Sequence, residues 1–116
     1  MTITDSGTGL SYDFGDRGPV ITVDSRESGR TVNSSPERWN ELWLFETADG
    51  YALVDVGRSL IDGERDIFSV HIADSLPGVI ASMVRRDSNG VLFLTRTRKA
   101  MVARINERYG TQTVVM

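Results

Sequence analysis

The chain is 116 residues long, carries a net charge of −3 and contains no cysteine. That length suits a single domain with its own hydrophobic core, and the absence of cysteine excludes disulfides, thiolate zinc sites and a catalytic thiol. No apolar run approaches the roughly 20 residues that cross a bilayer, and Met1-Thr2-Ile3-Thr4-Asp5 lacks the positive start and apolar stretch of an export signal, so a cytoplasmic protein without a membrane partner is expected.

Residues 1–18 are rich in Gly, Ser, Thr and Asp. They offer little to a core and are expected to form a flexible N-terminal arm ahead of a single domain over residues 19–116. Pro19-Val20-Ile21-Thr22-Val23 is β-branched and reads as a short strand, with Arg30-Thr31-Val32 a candidate return strand before the break at Ser34-Ser35-Pro36.

Arg38 to Thr47 and Tyr51 to Arg58 flank Asp49-Gly50, a hairpin signature. A type I′ turn at Asp49-Gly50 pairs Ala48 with Tyr51 and gathers Trp43, Phe45, Ala52, Val54 and Val56 on one face. The other face then mixes Leu42, Leu44 and Leu53 with Glu46 and Asp55. A three-residue turn ending at Gly50 instead pairs Thr47 with Tyr51 and exchanges one strand's faces. Ser59 to Arg65 reads as a loop, and Ile67 to Ala73 as a third strand with Phe68, Val70 and Ile72 on one side and His71 on the other.

Asp74 or Ser75 can cap a helix that has Pro77 in its first turn and ends near Arg86. Asp87-Ser88-Asn89-Gly90 is a turn, and Val91-Leu92-Phe93-Leu94 reads as a short buried strand. Thr95 or Thr97 can cap a second helix that stops at Gly110, with Met101, Val102, Ile105 and Tyr109 as its apolar stripe. Thr111 to Met116 reads as a final strand on a sheet edge. The fold class is therefore α+β, a largely antiparallel sheet with two helices packed on one face.

The net charge conceals a division. Residues 1–75 hold 6 basic against 14 acidic side chains, a net of −8, and residues 76–116 hold 7 against 2, a net of +5, which together give the chain's −3. Two binding readings correspond to the two halves.

Catalytic and metal chemistry find little support. His71 is the sole histidine and lacks a nucleophile motif, so it reads as structural or solvated. Asp62, Glu64 and Asp66 cluster, but the spacing misses the calcium-loop template: the glycine sits at the second place and Ala73 stands where the closing glutamate belongs. Gly7-Thr8-Gly9 has neither the lysine of a phosphate loop nor a strand-to-helix setting. No catalytic, metal or cofactor residue is assigned, and no motif ties the chain to a family.

Elimination leaves a small non-enzymatic protein-binding or regulatory module, in the manner of an inhibitor from a phage or mobile element, whose acidic sheet surface meets a basic protein. Its contact residues are expected to be Trp39, Glu41, Glu46, Asp49, Tyr51 and Asp55, since aromatic anchors often dominate binding. Trp39 and Tyr51 have burial in the core as their competing role. The alternative is a nucleic-acid-binding protein using Arg96, Arg98, Lys99, Arg104 and Arg108. Here Arg104 and Arg108 share one helical flank, Arg98 points toward the apolar stripe and Lys99 lies elsewhere. A third reading pairs the acidic half of one copy with the basic half of another, giving self-association.

Overall fold

A computed structural model describes residues 1–28, 38–59 and 65–112. In chain order these form β1 (Thr2–Thr4), β2 (Ser11–Asp13), β3 (Ile21–Asp24), a 3-10 turn (Ser25–Ser28), β4 (Arg38–Thr47), β5 (Gly50–Ser59), β6 (Arg65–Ala73), α1 (Leu76–Met83), β7 (Arg85–Arg86), β8 (Leu92–Phe93) and α2 (Arg96–Tyr109). The expected return strand at residues 30–32, the break at 34–36 and the final strand beyond 112 lie outside the described residues.

Alternating side chains make β4 and β5 the long central pair of an antiparallel sheet in the order β3-β4-β5-β6. Thr47 pairs with Gly50, which places Phe45 opposite Ala52 and Trp43 opposite Val54. Both expected registers are corrected by this pairing. The loop is Ala48-Asp49, and neither residue has a positive φ, so a type I′ turn at Asp49-Gly50 is ruled out. The face assignment of the first reading survives, because the shift is by two residues and side-chain direction has period two.

Gly50 serves a different purpose. It opens β5 at φ +151°, and a Cβ there would run into the carbonyl oxygen of Ala73 and come within 2.7 Å of the Asp74 Cα. The end of β6 therefore passes where only a glycine leaves room. In β6 the ladder carries one extra residue at Phe68: Asp55 faces Ser69 whereas Val56 faces Ile67. This bulge brings Ile67 onto the face shared by Val70 and Ile72.

One sheet face carries Ile21, Val23, Leu42, Leu44 and Leu53, and both helices pack on it through Val79, Ile80 and Met83 of α1 and Met101, Val102 and Ile105 of α2. Each fully buried side chain of this kind contributes about 1.5–3 kcal/mol. Ser75 caps α1 by accepting from the Gly78 N–H at 3.2 Å, and Thr95 caps α2 by accepting from the Arg98 N–H at 3.4 Å. Gly110 closes α2 at φ 66°.

The first helix is shorter than expected. Val84 is already extended and Arg85–Arg86 pair with Leu92–Phe93 in a separate two-stranded hairpin. Hydrogen bonding across the Asp87–Gly90 turn draws these residues out of the helix. The same hairpin corrects the expected burial of residues 91–94: it lies outside the main sheet, so Leu94 is buried while Val91, Leu92 and Phe93 are exposed.

The second sheet face, with Trp43, Phe45, Ala52, Val54, Val56 and Ile67, is covered by residues expected to form an arm. There β1 and β2 make a hairpin, Ile3 is buried, and the Phe14 ring stacks on Phe45 with centroids 4.8 Å apart. The Ser6 N–H donates to the Ile67 carbonyl at 2.9 Å. Residues 1–18 thus supply core contacts, because an apolar sheet face must be covered and Ile3 and Phe14 reach it.

Candidate functional site

The residues expected to bind a protein are mostly engaged within the chain. Trp39 is buried, with the Arg26 guanidinium 3.8 Å above its ring. Its indole N–H donates to Glu41 Oε2 at 2.7 Å, and that of Trp43 donates to Glu41 Oε1 at 2.9 Å. Arg58 Nε lies 3.5 Å from the same carboxylate. Glu46 accepts from the Tyr109 hydroxyl at 2.8 Å and from Arg108 at 3.3 Å, and donation from Tyr109 first, then Arg108, holds its carboxyl below the usual range. Tyr51 packs edge-on against Tyr109. Only Asp49, in the exposed turn, keeps an exposed carboxylate with no partner shown among the described residues.

The five basic residues do not make one surface either. Arg98 is half-buried and turns toward Asp55, with Nη2 to Oδ2 at 4.0 Å. Arg104 donates to the Thr22 carbonyl at 2.8 Å and to Glu27 at 2.6 Å. Arg108 is taken up by Glu46. Arg96 and Lys99 remain exposed. Unlike charges of the two halves thus meet inside one molecule.

Asp55 and Arg98 belong to a cleft between the helix-bearing face and the end of α1, which Ser69, His71, Ser82 and Arg85 also line. The position of His71 follows from strand alternation: it pairs with Leu53, on the face that carries the helices. Burial pushes the Asp55 carboxyl up against the opposing pull of Arg98, Arg85 and His71. Burial also lowers the Arg98 guanidinium, and repulsion from Arg85 adds to that, with Asp55 acting against both. The free space at the centre is about 10 Å³, room for one water-sized group. A cleft of that size holds a single polar atom and no substrate-sized molecule.

Beside this cleft stands the β7–β8 hairpin, which sequence reasoning missed as a site. Val91, Leu92 and Phe93 are 58%, 50% and 41% exposed. The turn behind them is well tied, since the Asp87 carboxylate accepts from the Asn89 and Val91 N–H groups, both at 2.9 Å. Arg85 stands opposite Phe93 and Arg86 opposite Leu92, and exposed Arg96 follows three residues on. Three successive exposed apolar residues are unfavourable in water unless something covers them. The available signal was the Arg85-Arg86 pair just before a turn, where a buried strand would seldom begin.

The class defined by these features is a small α+β domain, mostly antiparallel, with two helices on one sheet face and a projecting apolar hairpin rimmed by arginines. Comparison with protein-family models, with curated proteins and with solved structures finds no match. Among the described residues no helix is long and apolar enough to cross a membrane, and no three His, Asp or Glu side chains are grouped to hold a metal ion. Asp62 and Glu64 lie outside the described residues, and Asp66 is exposed in β6.

Proposed function

We propose that this protein is a non-enzymatic protein-binding or regulatory module whose contact surface is the β7–β8 hairpin. The observation that carries the reading is the exposure of Val91, Leu92 and Phe93 on a hairpin held by Asp87. A preorganised apolar tip loses little freedom on binding, which favours affinity. The flanking Arg85, Arg86 and Arg96 make an acidic, apolar polypeptide the complementary partner. This replaces a basic partner on the Trp39 to Asp55 surface, where Glu41 and Glu46 are satisfied internally. Nucleic-acid binding ranks second, because Arg98, Arg104 and Arg108 are engaged within the chain and leave Arg96 and Lys99.

The test is selection of peptides from a random display library on the wild-type protein in the presence of nuclease. Selected peptides are expected to combine apolar and acidic residues and to lose at least about tenfold in affinity on Leu92→Asp or Phe93→Asp, the scale of an interface hot spot. Peptides that bind both variants as well as wild type overturn the proposal. So does the failure to select any peptide, as when only added nucleic acid binds or when concentrated protein self-associates instead.

A further inference from the structure

We propose that the cleft bounded by Asp55, Ser69, His71, Ser82, Arg85 and Arg98 receives one oxygen of a carboxylate side chain of the partner that docks on the β7–β8 hairpin, the rest of that carboxylate lying at the cleft mouth. This rests on the protein-binding reading above and adds the chemistry that selects the partner.

Charge is the first ground. Two guanidinium groups and an imidazole face one carboxylate across the cleft. The nearest approach of Arg98 to Asp55 is 4.0 Å, too long for a hydrogen bond. Arg98 therefore sits half-buried beside another cation, with its one acidic neighbour among the described residues out of hydrogen-bond reach. A second carboxylate between Arg85 and Arg98 would relieve their repulsion and accept from both, and guanidinium geometry suits a carboxylate.

Position is the second ground. Arg85 lines the cleft and also pairs with Phe93 across the β7–β8 ladder. Directly opposed residues place their side chains on one side of a ribbon, so Phe93 and Arg85 share one side of the hairpin. A polypeptide lying on that side passes Arg85, which lines the cleft. The space of about 10 Å³ suits one carboxylate oxygen. Ser82 is already committed, since its hydroxyl donates to the Val79 carbonyl at 2.6 Å, and Arg85 Nη1 donates to the Ser82 carbonyl at 3.3 Å. Arg98 and the remaining N–H groups of Arg85 are therefore the charged donors, with Asp55 an internal competitor for Arg98.

The experiment compares a peptide selected on the wild-type protein with its counterpart in which each acidic residue is replaced by its amide. Arg98→Gln is expected to weaken the acidic peptide about tenfold, the size of one half-buried charged pair, and to leave the amide peptide nearly unchanged. Asp55→Asn is expected to tighten the acidic peptide severalfold, an effect that loss of structure would not produce. Equal losses for both peptides on Arg98→Gln, or unchanged or weaker binding on Asp55→Asn, overturn the inference. Should Arg98→Gln fail to fold, Asp55→Asn decides alone. Selected peptides that need Leu92 and Phe93 but carry no acidic enrichment sink the cleft and spare the hairpin; peptides indifferent to Leu92 and Phe93 sink the hairpin reading itself, and a selection that yields none sinks both.

Discussion

The carboxylate of Asp5 accepts from the backbone N–H of Val70 at 3.2 Å, joining the first strand's exit to the far edge of the sheet. The same side chain accepts from the Gly7 and Thr8 N–H groups. Burial alone would raise its pKa, but these three donors outweigh burial and hold it below the usual carboxylate range. A lowered folded value means stability present above the unfolded pKa, near about 3.9, and lost as pH falls through the folded one. Asp5→Asn, whose amide nitrogen cannot accept from Val70, is expected to be less stable than wild type at pH 7 in urea melts. That difference should shrink as pH drops below about 4; a gap that stays constant down to acid would refute the assignment.

Asp55 should behave in the opposite sense. Burial raises its carboxyl despite Arg98, Arg85 and His71, so the folded state holds this proton more tightly than the unfolded one. Its favourable contribution is complete below the unfolded pKa near about 3.9 and fades as pH rises through the folded value. Relative to Asp55→Asn, wild type is therefore expected to lose stability as pH rises through that window. Parallel stability curves for the two proteins would contradict it.

Gly50 permits β6 to finish against β5, and a methyl group there meets the Ala73 carbonyl. Gly50→Ala is expected to destabilise by roughly 2–3 kcal/mol, the range of substitutions that force backbone to move. Ala48→Gly, in the exposed turn, should cost less than about 1 kcal/mol. Chemical denaturation of both variants checks the contrast, and equal small losses would show that the strand end yields freely.

Glu41 accepts from both indoles of β4, at 2.7 and 2.9 Å. Glu41→Ala removes both acceptors and is expected to destabilise by about 1–3 kcal/mol, the penalty for polar groups left unsatisfied. Glu41→Gln keeps one carbonyl acceptor and should fall between. Tryptophan fluorescence during urea unfolding reports on the affected side chains directly; a Glu41→Ala midpoint equal to wild type would argue against the bridge.

The strands over residues 38–58 and 66–73 were legible because their alternation is local, and so were the stop at Gly110 and the caps to within two candidates each, of which the fold uses Ser75 and Thr95. The hairpin register was not legible. Asp49-Gly50 has the composition of a tight turn, but Gly50 is required by Ala73, 23 positions away and invisible to a local rule. Residues 1–18 misled for a related reason, since Ile3 and Phe14 are too sparse to make a periodic signal yet are placed on a waiting apolar face.

The candidate site was harder still. Trp39 and Glu41 looked like anchor and acid on a binding surface, whereas the fold satisfies each with the other. Val91, Leu92 and Phe93 looked like core because their hydrophobicity outweighed the signal of the Arg85-Arg86 pair before the turn, and their exposure follows from a hairpin that no layer among the described residues covers.

By itself the sequence determined the long strands of the main sheet and the two helices, their order, the α+β class and which of their side chains share a strand face or helix stripe, all of them properties of spacing along the backbone. Tertiary structure alone decided which face each layer covers, which charges cancel within the chain and which apolar residues remain in water. Those outcomes depend on groups far apart in the chain competing for the same space and the same hydrogen-bond partners, and residue spacing carries no record of that competition.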